Sequence, residues 1–153
     1  MNPQYIIVHH SLTKDSGTVS WGAIRDYHTK IKGWRKIGYQ YGVELVGDFR
    51  EIFIGRFSNE TGAHTKEMGM NRMSIGICVV GDFDVEAPSP QSLARLRALV
   101  SWKMDEHEIT VQNVLGHREV GKMAGFDWKR GEYKSCPGKL FDMEKFRQSL
   151  TDV

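Results

Sequence analysis

The sequence is poor in cysteine. Cys78 and Cys136 are the only two, too few for a disulfide-built scaffold, although one bridge between them stays open. No stretch approaches the roughly 20 apolar residues of a membrane helix. Met1-Asn2-Pro3-Gln4 has no basic start, and the apolar run after it is too short for a signal peptide. The protein is therefore expected to be made in the cytoplasm and to need a separate release route if it acts outside. No charge sign dominates: 21 Lys and Arg face 19 Asp and Glu, net +2, which gives no electrostatic reason to expect nucleic acid. Repeats, low-complexity tracts and linkers are absent.

What is present is ordinary for a soluble globular chain, with 40% hydrophobic and 26% charged residues. The 153 residues fit one domain, 1–153, large enough to bury a core. Tyr5-Ile6-Ile7-Val8 is apolar without alternation, as in a strand covered on both faces. Residues 13–19 read as a loop, and Ser20 as the cap of a helix carrying Ile24, Tyr27, His28 and Ile31 up to Gly33. Tyr39 to Val46 alternates as a strand. Gly47-Asp48 turns it into a hairpin with Glu51 to Ile54. Arg56 to Met73 reads as a long polar loop, the kind that is usually functional. Ser74 to Val80 is a second buried strand. Ser89-Pro90 opens a helix with Leu93, Leu96, Leu99, Val100 and Met104 on its apolar face. Val111 to Leu115 is a short strand, and Asp142 caps a last helix bearing Met143, Phe146 and Leu150. The order β-α-β-β-β-α-β-α predicts an α/β domain with a central mixed sheet flanked by helices.

Chemistry-bearing residues gather at the ends of these elements. Cys78 lies in an apolar run, as a small core residue would. Cys136 lies on a Pro-Gly turn, after Lys134. Strands end at His9-His10 and at Gly116-His117, where open α/β sheets place their sites. Alternation puts His9 and His10 on opposite faces, so one of them can join a given site. Two imidazoles and one thiolate are a donor set for zinc, and three protein ligands leave a fourth position for catalysis. His28 reads as a packed helix residue and His107 as a solvated one near a helix C-terminus.

Val8-His9-His10-Ser11, Gly38-Tyr39, Asn71-Arg72-Met73-Ser74-Ile75-Gly76-Ile77, Gly116-His117-Arg118-Glu119-Val120 and Lys134-Ser135-Cys136-Pro137 resemble, in order and spacing, the zinc-dependent N-acetylmuramoyl-L-alanine amidase family. That family includes the lysozyme of the T-seven type of phage and the peptidoglycan recognition proteins. The resemblance implies one zinc ion per chain on His9, His117 and Cys136, with His10 pointing away or supporting the ligands. It places the family's catalytic Tyr on Tyr39 and its Lys on Lys134. His64, Trp34 and Asn71 become groove candidates for substrate, and Glu119 either supports a ligand or pairs with Arg118 or Lys122. The implied function is a phage-type endolysin, a monomer that reaches the cell wall by a holin-type route or at lysis, with peptidoglycan as its partner. Two other readings follow from the resemblance: a non-catalytic peptidoglycan-binding module, against which the retained Lys134 and Cys136 speak, and a regulator binding a phage RNA polymerase, which the very short N-terminal arm weakens.

Overall fold

The computed structural model describes residues 1–12 and 20–152, with only the backbone of Ser20. The expected loop at 13–19 and the Ser20 cap lie outside the described residues. β1 is Tyr5–His10, β2 Tyr41–Val46, β3 Phe49–Ile54, β4 Ser74–Val79 and β5 Val114–Gly116. They form one sheet in the order β3-β2-β4-β1-β5. β1 runs parallel to β4 and β5, and β2 parallel to β4, while β3 closes one edge antiparallel to β2. The helices are α1 (Ser20–Asp26), α2 (Pro90–His107), α3 (His117–Met123) and α4 (Met143–Thr151). The expected mixed sheet flanked by helices is the observed one.

Alternation along the strands divides the sheet into two faces. Ile6 and Val8 of β1, Ile75, Ile77 and Val79 of β4, and Val43 of β2 pack with Leu96, Leu99 and Val100 of α2 and Phe146 of α4. This is the larger core. On the opposite face Ile7 meets Val120 of α3 and Met70, and Cys78 meets Trp21 of α1 and Ile37. His9 follows Ile7 on this second, thinner side.

The cap residues read from sequence act as such. Ser89 accepts from the Ser92 N–H, with Pro90 in the first turn, and Asp142 accepts from the Lys145 N–H. Local geometry departs from the expectation in five places. The first helix turns π-helical at Tyr27–Ile31 before Gly33 reverses the chain at φ +72°. β2 starts at Tyr41, although the Gln40 backbone already donates to Gly76 O and accepts from the Gly55 N–H, and its side chain bridges the Gly76 N–H and Glu60 O. The supposed loop before β4 contains a 3-10 stretch, Glu67–Arg72, broken by left-handed Met68 and Gly69. Val111–Asn113 is likewise 3-10, delaying β5 to Val114. α3 follows β5 directly and was not expected at all.

Leu96 is fully buried between sheet and α4. Leu96→Ala is expected to lower stability by about 2–5 kcal/mol, read from the midpoint of urea unfolding.

Candidate metal centre and cleft

The register of β1 on β5 sets Val8 opposite Gly116, so the next residues, His9 and His117, emerge side by side. Their ring centroids lie 4.7 Å apart. Cys136 completes the group from a separate turn, its Sγ 3.7 Å from His9 Nδ1. The donor atoms of His9, His117 and Cys136 all fall within 4.8 Å of one another, and all three residues are buried. Both cysteines are free thiols.

The turn that carries Cys136 is clamped from two sides. The Arg118 N–H donates to Cys136 O at 2.7 Å, and the Arg118 guanidinium donates to the carbonyls of Ser135, Gly138 and Phe141. The Asp84 carboxylate accepts from Ser135 Oγ at 2.8 Å and from the Lys139 N–H at 2.8 Å. Arg118 is the neighbour of His117, so the thiol and the second imidazole are fixed to one another through the backbone. Glu119 takes neither expected part. It accepts from the Gly116 N–H at 2.8 Å and pairs with Arg147 through both oxygens, which secures the start of α3.

Each imidazole has its outer nitrogen held. His9 Nε2 lies 3.0 Å from His64 Nδ1 and 3.3 Å from Thr65 Oγ1, leaving Nδ1 toward the thiol. His117 Nε2 lies 3.0 Å from the Tyr133 hydroxyl and 3.7 Å from Glu67. Outer partners of this kind set the tautomer and aim the inner nitrogen. Glycine makes room for both arrangements. A Cβ on Gly76 would sit 2.5 Å from His64 ring atoms, and one on Gly121 would sit 2.2 Å from the Tyr133 ring.

Burial decides the charge state of the group. It pushes His9 well below the usual histidine range, reinforced by His117, His64 and Lys134. It brings His117 down to about 4, with Lys134 adding to the effect, and raises the Cys136 thiol to about 12. Two neutral imidazoles therefore present lone pairs, and the thiol ionises readily only if a cation takes the proton's place. The His10 N–H supports the sulfur as a hydrogen-bond donor. The His10 ring points the other way, accepting from the Phe83 N–H at 3.1 Å. Ligands at zinc bond lengths in a tetrahedron stand about 3.5 Å apart, close to the observed 3.7 Å between Cys136 Sγ and His9 Nδ1. The donor set and its spacing fit a zinc ion.

The three donors form the floor of an 820 Å³ cleft whose walls include Tyr39, His64, Trp34 and Lys134. Lys134 is exposed there. The Tyr39 ring lies 5.1 Å from that of His9, and burial, with Cys78 beside it, raises its phenol well above the usual range. Asn71 is not a wall residue. Its side-chain oxygen accepts from the N–H groups of His64 and Thr65, both at 2.8 Å, so it shapes the loop that supports His9. Sequence reasoning missed Tyr133, Glu67, Thr65, Arg118 and Asp84. The one available signal was Gly121, a turn after His117 on the same helix face.

Two imidazoles and a thiol on the floor of a cleft, at the carboxyl ends of neighbouring parallel strands, are a donor set suited to a single metal ion. The chain belongs to the N-acetylmuramoyl-L-alanine amidase family, which residues 1–139 match. It is 34% identical over 132 residues to the endolysin of Escherichia phage T7, covering 82% of each protein. It is 33% identical over 124 residues to peptidoglycan-recognition protein LB of Drosophila melanogaster, covering 76% of this chain and 51% of that protein; the chain thus spans about half of the fly protein's length. Among solved structures it superposes on the N-acetylmuramoyl-L-alanine amidase LysC from Clostridium intestinale URNW with TM-score 0.77 at 27% identity, covering 100% of this chain and 88% of that one. Drosophila PGRP-LB gives 0.73 at 31% identity, over 92% and 79%. A mutant of that fly protein has been solved with tracheal cytotoxin.

His28, on the cleft wall, accepts from the Gly38 N–H at 3.0 Å, and burial lowers it to about 4. The unfolded chain binds a proton near pH 6.5 that the native state refuses until about pH 4. This contribution to stability is complete above pH 6.5 and is lost as pH falls through that window. His28→Asn is expected to show a shallower fall than wild type across the window in parallel denaturation series.

Proposed function

We propose that this chain is a zinc-dependent, endolysin-type amidase that cuts the bond between the lactyl group of N-acetylmuramic acid and L-alanine of the stem peptide. The observation that carries the reading is the buried cluster of His9, His117 and Cys136 within 4.8 Å, beneath a cleft that Lys134 also lines. Its family membership and its likeness to phage endolysins over 82% of their length support the same reading. Peptidoglycan, which a fragment-bound fly relative suggests, is the substrate.

His9, His117 and Cys136 would hold one zinc ion. When bound, zinc supplies Lewis acidity, lowering the pKa of water to about 7 and polarising a carbonyl. The chain's own residues do the rest. Lys134 lines the same cleft as His9 and His117, and there its positive charge would stabilise the oxyanion of the tetrahedral intermediate. Tyr39 keeps its proton because it is buried and hydrogen-bonded to the Cys78 thiol; to act on the reacting groups its O–H would turn from Cys78 to the cleft that the ring borders. His64 acts through His9, holding the ligand's outer nitrogen, while its own ring borders the cleft. His64 is neutral, burial holding it down to about 3. Trp34 offers a flat apolar wall to substrate. Release to the wall would follow a holin-type route or cell lysis.

Tyr39→Phe and Lys134→Ala are each expected to retain zinc and lose about 100- to 1000-fold in turnover, measured as amino groups released from purified sacculi. Near-wild-type turnover in either variant contradicts the role given to that residue. Wild-type protein that binds sacculi and releases no amino groups favours the non-catalytic binding module instead. A chelator is expected to stop release while the far-ultraviolet dichroism persists, with zinc restoring activity. Unfolding on chelation would make the metal structural.

A further inference from the structure

A second cation, Lys32, lines the cleft besides Lys134. Lys32 follows the π-helical turn, its N–H donating to Tyr27 O. Gly33 then reverses the chain and brings Trp34 back beside it, with the Trp34 N–H on His28 O at 2.9 Å. The Lys32 ammonium stands 5.0 Å from the Trp34 ring centre and 5.8 Å from that of Tyr27. Two aromatic faces thus hold an exposed, flexible side chain in one place. Among the described residues no carboxylate lies within ion-pair distance of it. Asp84 is the one carboxylate among the described residues that line the cleft, and it is engaged by Ser135 and the Lys139 N–H.

From Lys32 a continuous aromatic wall leads to the metal ligands. Trp34 packs against His28 with ring centres 4.7 Å apart, His28 against Tyr39 at 5.7 Å, and Tyr39 against His9 at 5.1 Å, each pair tilted. Through these contacts the Lys32 ammonium is no more than about 21 Å from His9, the length of roughly six extended residues. We infer that Lys32 is a specificity residue: it binds a free carboxylate of the leaving peptide, within about six residues of the scissile amide. The inference rests on the amidase reading. A peptide lying along the wall would keep its reacting carbonyl by Lys134 and its carboxylate by Lys32. The neighbouring charges lie outside the cleft lining: Lys30 pairs with Asp26, Lys36 with Glu60, and Arg35 is exposed next to Trp34.

The test uses two synthetic muramyl peptides that differ only in having their peptide carboxylates free or amidated. The zinc-loaded wild type is expected to favour the free acid about fivefold in kcat/KM, a surface ion pair's worth, mostly through KM. The preference should shrink as salt is raised. Lys32→Met should bring the ratio near one, and Lys32→Arg should retain it. If both peptides are cleaved and Lys32→Met keeps the wild-type ratio, or the wild type has no preference, the role of Lys32 is overturned and the amidase reading stands. If the wild type cleaves neither peptide, the amidase reading falls. Calorimetric affinities of the two uncleaved peptides then decide the carboxylate site alone, equal affinities overturning it.

Discussion

Keeping two imidazoles and a thiol dry, close and uncharged is the constraint from which the rest of this structure follows. Each of the three groups would ordinarily relieve its burial by meeting water or a counter-charge. Here His9, His117 and Cys136 are 2%, 4% and 8% exposed, and their common neighbour Lys134 discourages protonation further. A divalent cation would resolve the conflict by accepting two lone pairs and stabilising a thiolate. The cluster is therefore poised for metal, and its surroundings make sense as devices that hold it so. Arg118 and Asp84 grip the cysteine turn, His64 and Thr65 aim one ring, and Tyr133 with Glu67 aim the other.

The sheet separates this task from the task of staying folded. Its α2 and α4 side carries most of the apolar burial, at roughly 25 cal/mol per Å² removed from water. Its other side spends positions on histidine, tyrosine and glycine. Gly76 and Gly121 give up side-chain contacts so that His64 and Tyr133 can lie where the ligands need them. Such losses are tolerable because the opposite face is closely packed. The π-helical turn at Tyr27–Ile31 serves the same side, bringing His28 under the cleft wall and Lys32 to its rim.

Much of this was legible in the residues. The period of β1 assigns His9 and His10 to different faces, and the structure shows the consequence: His9 by the thiol, His10 on the Phe83 N–H. Ser89 and Asp142 announce their helices because cap chemistry is local. α3 stayed hidden because seven residues with Gly121 among them carry too little periodicity, and Gly116 offers no side-chain cap. Tyr133 and Glu67 stayed hidden because their link to His117 crosses 16 and 50 positions of chain and depends on a glycine gap. Asn71 looked like a groove residue because an Asn in a functional loop is equally suited to binding substrate or backbone. Its two backbone N–H partners resolve that ambiguity, and no spacing rule reaches them.

The most direct test of the central claim is anomalous diffraction at the zinc edge from crystals of the zinc-loaded protein. One peak per chain is predicted, about 2.0–2.3 Å from His9, His117 and Cys136 and bound by no fourth protein atom. A peak ligated by other residues, a fourth protein ligand that closes the site, or a bridge between Cys136 and Cys78 in the absence of any peak would contradict it.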